Sequence, residues 1–330
     1  MKFLKRMAAV VLSLSLLLLT ACNTGEGSKP DSEKINVNIA TLKGPTGIGM
    51  VNLMELAKEG EAPDNYSFTL AGAADEITGK LTSGEVDIAA VPTNLAATLY
   101  NKTGGKVRII AVNTLGVLYV VENGDTVKSV DDLKGKTVSA TGQAAVPEYA
   151  FNYILEQNGM KAGTDVTVDY LSEHSELAAQ LIAGKVNLAV LPEPFVTQVT
   201  AKNPDVRVAL DLAEEWNTAS GEQSDLVMGC LVVRTEFAEE HKAELDAFLD
   251  AYKQSAEAAV KDVEKTAQLT GEYDIMDAAV AEKAIPKCNI VYMDGTEMKE
   301  STGAFLKVLF EAQPKSVGGK LPDDGFYYQK

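Results

Sequence analysis

The residues best suited to binding chemistry lie in two glycine-rich loops, each placed between an apolar strand pattern and an amphipathic helix pattern. The candidate ligand-binding residues are Lys43, Gly44, Pro45, Thr46 and Gly47 in the first loop and Thr141, Gly142 and Gln143 in the second. Glycine lets the backbone approach a ligand closely, and the start of the following helix leaves N–H groups that favour an anionic group by about 0.3–1 kcal/mol. Purely structural turns have the same composition, and neither loop matches a P-loop or a dinucleotide-binding fingerprint.

Two further loops follow buried strands and add the candidate residues Thr93, Asn94, Glu193 and Phe195. Helix capping is the alternative for Thr93 and Asn94. Glu193 is either a solvated charge or a carboxylate that meets a ligand amine, and Phe195 is either a core residue or a stacking surface. Trp216, the one tryptophan, is predicted in a polar loop, where it is either a wall of the binding site or part of the core.

Little in the sequence indicates catalysis. It contains no Gly-x-Ser-x-Gly elbow, and its two histidines, His174 and His241, have no second histidine or cysteine at metal-ligand spacing. The run Glu173-His174-Ser175-Glu176 favours a helix start with exposed charges over acid–base chemistry. We therefore expect binding without turnover, with no cofactor and no metal.

The first 22 residues have the order of a bacterial export signal: basic residues, an apolar run over 8–19, then small residues up to Cys22. The run is shorter than the ~20 apolar residues that span a membrane, so we predict a signal peptide over 1–21. The ending Leu19-Thr20-Ala21-Cys22 resembles the lipobox of lipoproteins, in which the cysteine carries the lipid; an ordinary signal peptide is the alternative. Residues 22–34 are polar and are predicted to form a flexible tether.

Composition limits the class of protein. The 330 residues include 30 basic and 47 acidic ones, and the net charge of −17 becomes −20 when Lys2, Lys5 and Arg6 leave with the signal peptide. Nucleic-acid binding needs clustered Lys and Arg, so we expect no nucleic-acid partner. The length allows about two domains. Outside the reducing cytosol, Cys230 and Cys288 either form a disulfide or remain buried thiols.

The elements that must position the loops form an α/β pattern that occurs twice, about 100 residues apart. The first copy has strands over 35–42, 66–70 and 86–91 and helices over 48–57 and 75–82; the second has strands over 137–141, 166–171 and 186–191 and helices over 147–157 and 177–182. Six positions match without a gap: Glu76/Glu176, Leu81/Leu181, Gly84/Gly184, Val86/Val186, Ala89/Ala189 and Pro92/Pro192. This echo predicts two lobes on one plan, and two βαβ units that are merely alike are the alternative.

The rest of the chain suggests how the lobes are connected. Strands are predicted over 206–210 and 226–234, a long helix over 237–269, and helices over 276–285 and 297–312. We predict one lobe from 35–115 and 226–330, a second from 116–225, and a hinge near 113–117 and 225–229. Because ligands bind beyond the carboxyl ends of strands in open α/β sheets, the four loops are expected to meet in one cleft.

The arrangement resembles the extracytoplasmic solute-binding proteins of ABC importers, in the group that binds nitrate, sulfonates, taurine and thiamine-pyrimidine precursors. The resemblance rests on the lipobox at Cys22, the strand–loop–helix over 39–54, and the segments 84–89, 132–138 and 184–195. It implies a periplasmic-binding-protein type II fold, with two α/β lobes joined by a two-strand hinge. It also implies a monomer that is anchored to the outer face of the cytoplasmic membrane and delivers a small molecule to a permease. An extracytoplasmic enzyme or sensor on this fold is the alternative; the cysteine cluster and histidine-rich motif of the pyrimidine-synthase relatives are missing.

The candidate residues also bear on the ligand. Lys43 is their only cation and Glu193 their only anion, whereas an inorganic oxyanion would be expected to recruit more Arg or Lys. We therefore expect a neutral or zwitterionic organic molecule, such as a vitamin precursor or heterocycle, with a sulfonate or other small anion as the alternative.

Overall fold

Strands and helices alternate along the chain, as the repeated apolar pattern requires. The computed structural model describes residues 34–330, so the predicted signal peptide, Cys22 and nearly all of the predicted tether lie outside the described residues. None of the helices in residues 34–330 combines the length and the apolar character that crossing a membrane requires.

Eleven strands lie within residues 34–330: β1 (Asn36–Leu42), β2 (Asn65–Ala71), β3 (Ile88–Pro92), β4 (Val107–Thr114), β5 (Leu118–Asn123), β6 (Thr137–Thr141), β7 (Thr167–Leu171), β8 (Leu188–Pro192), β9 (Val206–Asp211), β10 (Gly229–Arg234) and β11 (Ile290–Met293). The α-helices of the same range are α1 (Pro45–Ile48), α2 (Val51–Lys58), α3 (Ala74–Ser83), α4 (Thr93–Thr103), α5 (Val146–Gln157), α6 (His174–Ile182), α7 (Phe195–Lys202), α8 (Leu212–Ala219), α9 (Thr235–Glu240), α10 (Lys242–Lys261), α11 (Val263–Glu272), α12 (Ala278–Ala284) and α13 (Gly295–Ala312).

The strands form two mixed sheets, one in each lobe, so the predicted two-lobed α/β fold is confirmed. Their orders are β11-β4-β10-β3-β1-β2 and β7-β6-β8-β5-β9. In each sheet three parallel strands, β2-β1-β3 or β7-β6-β8, are followed by one antiparallel strand, β10 or β5. The strand β10 enters the first sheet after the chain has completed the second, and it lies between β3 and β4. The chain therefore crosses twice between the sheets.

The two crossings run side by side and form the two-strand hinge. The backbone N–H of Met228 on the returning crossing donates to the carbonyl of Thr114 on the outgoing one at 3.0 Å. On the outgoing crossing, a Cβ on Gly116 would lie 2.5 Å from Cβ of Ala213, so glycine lets this crossing pass close to α8.

Helix α8 occupies the stretch that was expected to be a polar loop. The carboxylate of Asp211 accepts hydrogen bonds from the backbone N–H groups of Ala213 and Glu214, which caps the helix. Trp216 is fully buried, and its Nε1–H donates to the Ser224 carbonyl at 2.9 Å. Its ring packs against Tyr153 and Phe305. The expectation that Trp216 lines the binding site is therefore wrong: the tryptophan belongs to the core.

The predicted long helix over 237–269 is also wrong in detail, because the structure divides this stretch into α9, α10 and α11. The breaks lie at His241 and Asp262. The side chain of Asp262 accepts a hydrogen bond from the N–H of Lys265 and so starts α11 as a new helix.

The two described cysteines are free thiols, so the disulfide alternative is wrong. Alternate residues of a strand face opposite sides of its sheet. Cys230 packs in the core on one face of the first sheet, whereas its neighbour Leu231 packs on the other face together with Cys288. The sheet itself separates the two sulfur atoms.

Candidate functional site

A cleft opens between the two sheets at the carboxyl ends of their parallel strands. The part of the cleft that the hinge lines, which we call the inner chamber, encloses about 590 Å³, including space open to solvent. Its lining residues come from both lobes and from the hinge: Leu42, Lys43, Gly44, Pro45, Thr46, Val91, Pro92, Thr114, Val117, Pro147, His174, Pro192, Glu193, Phe195, Met228 and Gly229. Most of these side chains are apolar, as is usual for small-molecule sites.

The cleft widens into an outer chamber of about 1490 Å³, also partly open to solvent. Its remaining walls are the loops before α3, α5 and α6, the beginning of α3, the end of β7 and one residue of α4: Gly72, Ala73, Ala74, Asp75, Glu76, Thr78, Leu95, Gly142, Gln143, Ala144, Ala145, Tyr170, Leu171, Ser172 and Glu173. Five residues line both chambers, and we call them the neck: Leu42, Lys43, Pro92, Pro147 and His174.

The structure places most of the predicted site residues at this cleft. Those on the inner chamber are Lys43, Gly44, Pro45, Thr46, Glu193 and Phe195, and those on the outer chamber are Lys43, Gly142 and Gln143. Gly47, Thr93, Asn94, Thr141 and Trp216 line neither chamber.

In the first glycine-rich loop, the glycines serve the turn itself. Gly44 adopts a φ of 145°, which L-residues rarely adopt. A Cβ on Gly47 would lie 2.6 Å from the carbonyl oxygen of Leu42. Next to them, Nζ of Lys43 pairs with the Asp274 carboxylate at 3.3 Å. An exposed pair of this kind adds little stability.

In the second loop, Gly142 is also required structurally. Its φ is 75°, and a Cβ there would lie 2.7 Å from Cγ of Pro147. Any larger side chain would strain the backbone and displace a neck residue. Substitution of Gly142 therefore disturbs the fold as well as the cleft.

Acidic side chains cap three of the helix starts at the cleft. One oxygen of Glu76 accepts hydrogen bonds from two backbone N–H groups before α3, at 3.1 and 2.9 Å. Glu148 accepts from the N–H of Ala144 before α5 at 2.5 Å, and Glu193 from the N–H of Thr197 in α7 at 3.0 Å. The carboxylate of Glu148 therefore lies at the start of the helix that follows the second glycine-rich loop, where the sequence predicts N–H groups for an anion, and the N–H group that it pairs, that of Ala144, precedes this helix. The first loop leads into α1, which is only four residues long and begins with a proline that has no N–H.

Glu193 is a buried carboxyl group on the wall of the inner chamber. It is 2% exposed, and its second oxygen accepts a hydrogen bond from the Thr197 hydroxyl at 2.9 Å. Burial raises its pKa, while the hydrogen bonds from Thr197 oppose that rise. The group is placed to accept a hydrogen bond from a guest N–H or O–H.

His174 is the polar wall residue that the sequence analysis assigned to a different role. It is the first residue of α6, as the helix-start interpretation expected, but its ring also faces both chambers. Its Nδ1 lies 2.5 Å from the Thr141 hydroxyl, and its ring centroid lies 5.4 Å from that of Phe195. Burial lowers the pKa of His174 to about 4, so the ring is uncharged at neutral pH.

Thr93 and Asn94 are fully buried at the start of α4, behind the wall. The amide nitrogen of Asn94 donates to the carbonyl of Ala144 in the opposite lobe at 3.3 Å and to that of Ser316 at 3.1 Å. Asn94 therefore ties the lobes together.

The lobes also approach each other on either side of the cleft. Nζ of Lys287 lies 3.4 Å from the Thr197 hydroxyl. A Cβ on Gly72 would lie 3.3 Å from the carboxyl carbon of Glu173. Additional bulk at Gly72 would therefore press the lobes apart.

Comparison with known proteins identifies the family. Residues 55–278 match the family described as ABC transporter, phosphonate, periplasmic substrate-binding protein. The chain belongs to this family. This substrate-binding protein is therefore extracytoplasmic and serves an ABC importer, and its family consists of transport proteins and not of enzymes.

Solved structures with this fold cover most of the substrate-binding protein. An ABC transporter protein from Parabacteroides distasonis is 28% identical, with a TM-score of 0.73 over 89% of this chain and 99% of that one. The alkanesulfonate-binding protein SsuA from Xanthomonas axonopodis pv. citri, bound to MOPS, is 15% identical, with a TM-score of 0.69 over 88% and 96% of the two chains. The nitrate-binding protein NrtA from Synechocystis PCC 6803 is 13% identical, with a TM-score of 0.62 over 86% and 84%. No curated protein sequence matches the chain significantly.

Within residues 34–330 of this substrate-binding protein, no group of acidic, histidine and cysteine side chains is placed to hold a metal ion. The wall residues that sequence analysis missed are mainly apolar ones, such as Val117 and Met228 of the hinge. The sequence carries no local signal for them, because they reach the chamber only through the two crossings. For His174 a signal did exist: its position matches the start of α3 in the first lobe, which also faces the cleft.

Proposed function

We propose that this substrate-binding protein captures a small organic solute, uncharged or zwitterionic, in the inner chamber and delivers it to an importer permease. The distribution of charge in the cleft carries the proposal. Among the described residues that line the two chambers, Lys43 is the only Lys or Arg, and Asp274 already pairs with it. The inner chamber instead holds the buried carboxyl group of Glu193.

An oxyanion would find few favourable partners in such a cleft. Recognition of phosphate-like and sulfonate-like groups favours charged donors and free helix N-termini. Here the carboxylates of Glu76, Glu148 and Glu193 already lie at three helix starts, and Asp75 and Glu173 add negative charge to the outer chamber. A heterocycle or vitamin precursor with an N–H group suits the apolar walls and the oxygens of Glu193.

The proposal includes the movement and the anchor that the sequence indicated. Residues 35–115 and 226–330 form one lobe and 116–225 the other, with closure about the crossings near 113–117 and 225–229. The separate sheets and the paired crossings support this division. A lipid on Cys22 holds the monomer at the outer face of the cytoplasmic membrane; the sequence order of residues 1–22 supports it.

A sulfonate-like or phosphonate-like anion is the second candidate. The description of the matching family, which names phosphonate, favours it.

Mass spectrometry of small molecules released from the purified protein distinguishes the two candidates. We expect an uncharged or zwitterionic compound, which at about 100 times its dissociation constant stabilises the protein by roughly 2.7 kcal/mol. The Glu193→Gln variant should lose most of that stabilisation. The Glu257→Gln variant, altered at an exposed site on α10, is the matched control and should keep it. Release of a phosphonate, sulfonate or nitrate, with stabilisation by that anion in Glu193→Gln, would contradict the proposal.

A further inference from the structure

The neck contains two polar side chains, and they differ in their freedom to bind. Lys43 is paired with Asp274. His174 is held by Thr141 through Nδ1 alone, and its Nε2 has no partner among residues 34–330. Because the ring lines both chambers, any solute that extends through the neck passes it.

The surroundings of Thr141 determine which ring nitrogen carries the proton. The Thr141 side chain is 1% exposed, and within residues 34–330 its hydroxyl makes one hydrogen bond, to Nδ1 of His174. A buried hydroxyl that donates to nothing is costly. If Nδ1 of His174 donated to Thr141, the Thr141 hydroxyl would be left without an acceptor. The Thr141 hydroxyl therefore donates to Nδ1. In a neutral imidazole the proton then resides on Nε2, which becomes a donor towards the neck.

The charges around the ring do not favour its protonation. Glu173 precedes it on the same helix start, but its carboxylate accepts a hydrogen bond from Ser175 at 3.0 Å. Glu193 in the inner chamber is bonded to Thr197, and Lys43 of the neck is itself a cation. The opposite face of the ring packs near Phe195. No carboxylate among the described residues forms a hydrogen bond with His174.

We propose that His174 is a specificity-determining residue of the cleft, whose Nε2–H donates a hydrogen bond to an uncharged acceptor on the solute, such as a carbonyl oxygen or a ring nitrogen. This inference rests on the proposed function, because it takes the cleft as the solute site. Thr141 acts as the positioning residue that fixes the tautomer. Together with Glu193, the neck selects a solute that presents an acceptor to the histidine and a donor to the carboxyl group.

The first test needs no solute. The protein has two histidines, so ¹⁵N spectra of the imidazole rings can be assigned with the single variant His241→Gln. We expect His174 to be the neutral Nε2–H tautomer at pH 7, and Thr141→Val to convert it to a mixture of tautomers. A protonated ring at pH 7, or a Nδ1–H tautomer in the wild type, would overturn the inference.

The second test uses two probes of similar size, benzamide and benzenesulfonate, titrated to 20 mM and followed by the imidazole and amide resonances. We expect benzamide to bind to the wild type and to His174→Gln, which keeps a donor. Binding to His174→Phe, which keeps the ring but has no donor, should be about ten-fold weaker. His241→Phe is the matched control and should bind as the wild type does.

The outcomes separate this inference from the proposed function. If benzamide fails to bind, or binds equally to His174→Phe, the inference about His174 fails, while an uncharged solute retained by the purified protein still supports the proposed function. If benzenesulfonate binds more tightly than benzamide and His174 takes up a proton from solvent on binding, both fail.

Discussion

Replacing His174 with glutamine should make the protein less sensitive to mild acid. Burial lowers the pKa of His174 from its ordinary value of 6.5 to about 4. At 1.36 kcal/mol for each pKa unit, a shift of this size makes protonation of the partly buried ring in the folded protein cost about 3 kcal/mol more than in the unfolded chain. In the unfolded chain the His174 ring binds a proton below pH 6.5, whereas in the folded protein it binds one only below about pH 4. The stability that the neutral His174 ring contributes to the folded protein is therefore fully present above pH 6.5 and is lost as the pH falls towards 4.

The difference in free energy of unfolding between the wild type and His174→Gln isolates the effect of the His174 proton. Glu193 has a raised pKa, which acts with the opposite sign, but it is present in both proteins. From pH 7.5 to pH 5, the free energy of unfolding of the wild type should fall by about 2 kcal/mol more than that of His174→Gln. Urea titrations at half-unit pH intervals measure both, with His241→Gln as the control for a histidine lost outside the cleft. If the two free energies of unfolding differ by the same amount from pH 7.5 to pH 5, His174 does not have a lowered pKa and the reasoning is refuted.

Four other outcomes are expected. Gly72→Glu should open the cleft, because the new side chain meets Glu173 with both bulk and like charge, and should weaken solute binding at least ten-fold; a larger radius of gyration by X-ray scattering checks this, and Glu173→Gln should restore the part of binding that is lost to charge repulsion. Gly142→Val should lower the free energy of unfolding by about 1–3 kcal/mol in a denaturant titration, because its φ of 75° suits glycine. Trp216 fluorescence should not respond to the retained solute, since its ring is buried away from both chambers; a shift on saturation would return it to the site. A chain that starts at Ser32 should fold as a monomer that binds the same solute, which gel filtration and a thermal-shift assay would show.

The acidic residues of the cleft and those of the protein surface have different origins. The acidic surface follows from composition, with 47 acidic against 30 basic residues. Part of the acidic lining instead follows from local hydrogen bonding, because the carboxylates of Glu76 and Glu193 accept hydrogen bonds from backbone N–H groups at the starts of α3 and α7. The same positions that could receive an anionic solute are thereby occupied by the protein's own carboxylates.

Local patterns in the sequence determined the order of elements and the position of the loops. The strand at Thr137–Thr141 has the bounds that apolar periodicity predicts. Helix α3 is closed by Gly84, whose φ of 83° is the left-handed conformation that a glycine stop implies. Asp211 also carries a local signal, since its side chain caps α8 in a stretch whose polar residues predict a loop. These features depend on residues a few positions apart, which is the distance over which periodicity and capping act.

Only the tertiary structure decided which side chains surround the solute. The neck joins Leu42 with Pro147 and His174, which lie more than 100 positions further along the chain, and Met228 reaches the chamber by way of the returning hinge strand. The burial that keeps His174 uncharged, and the face of the sheet on which each cysteine lies, likewise depend on packing between distant segments. Apolar periodicity shows that a residue is buried, but it does not show against what.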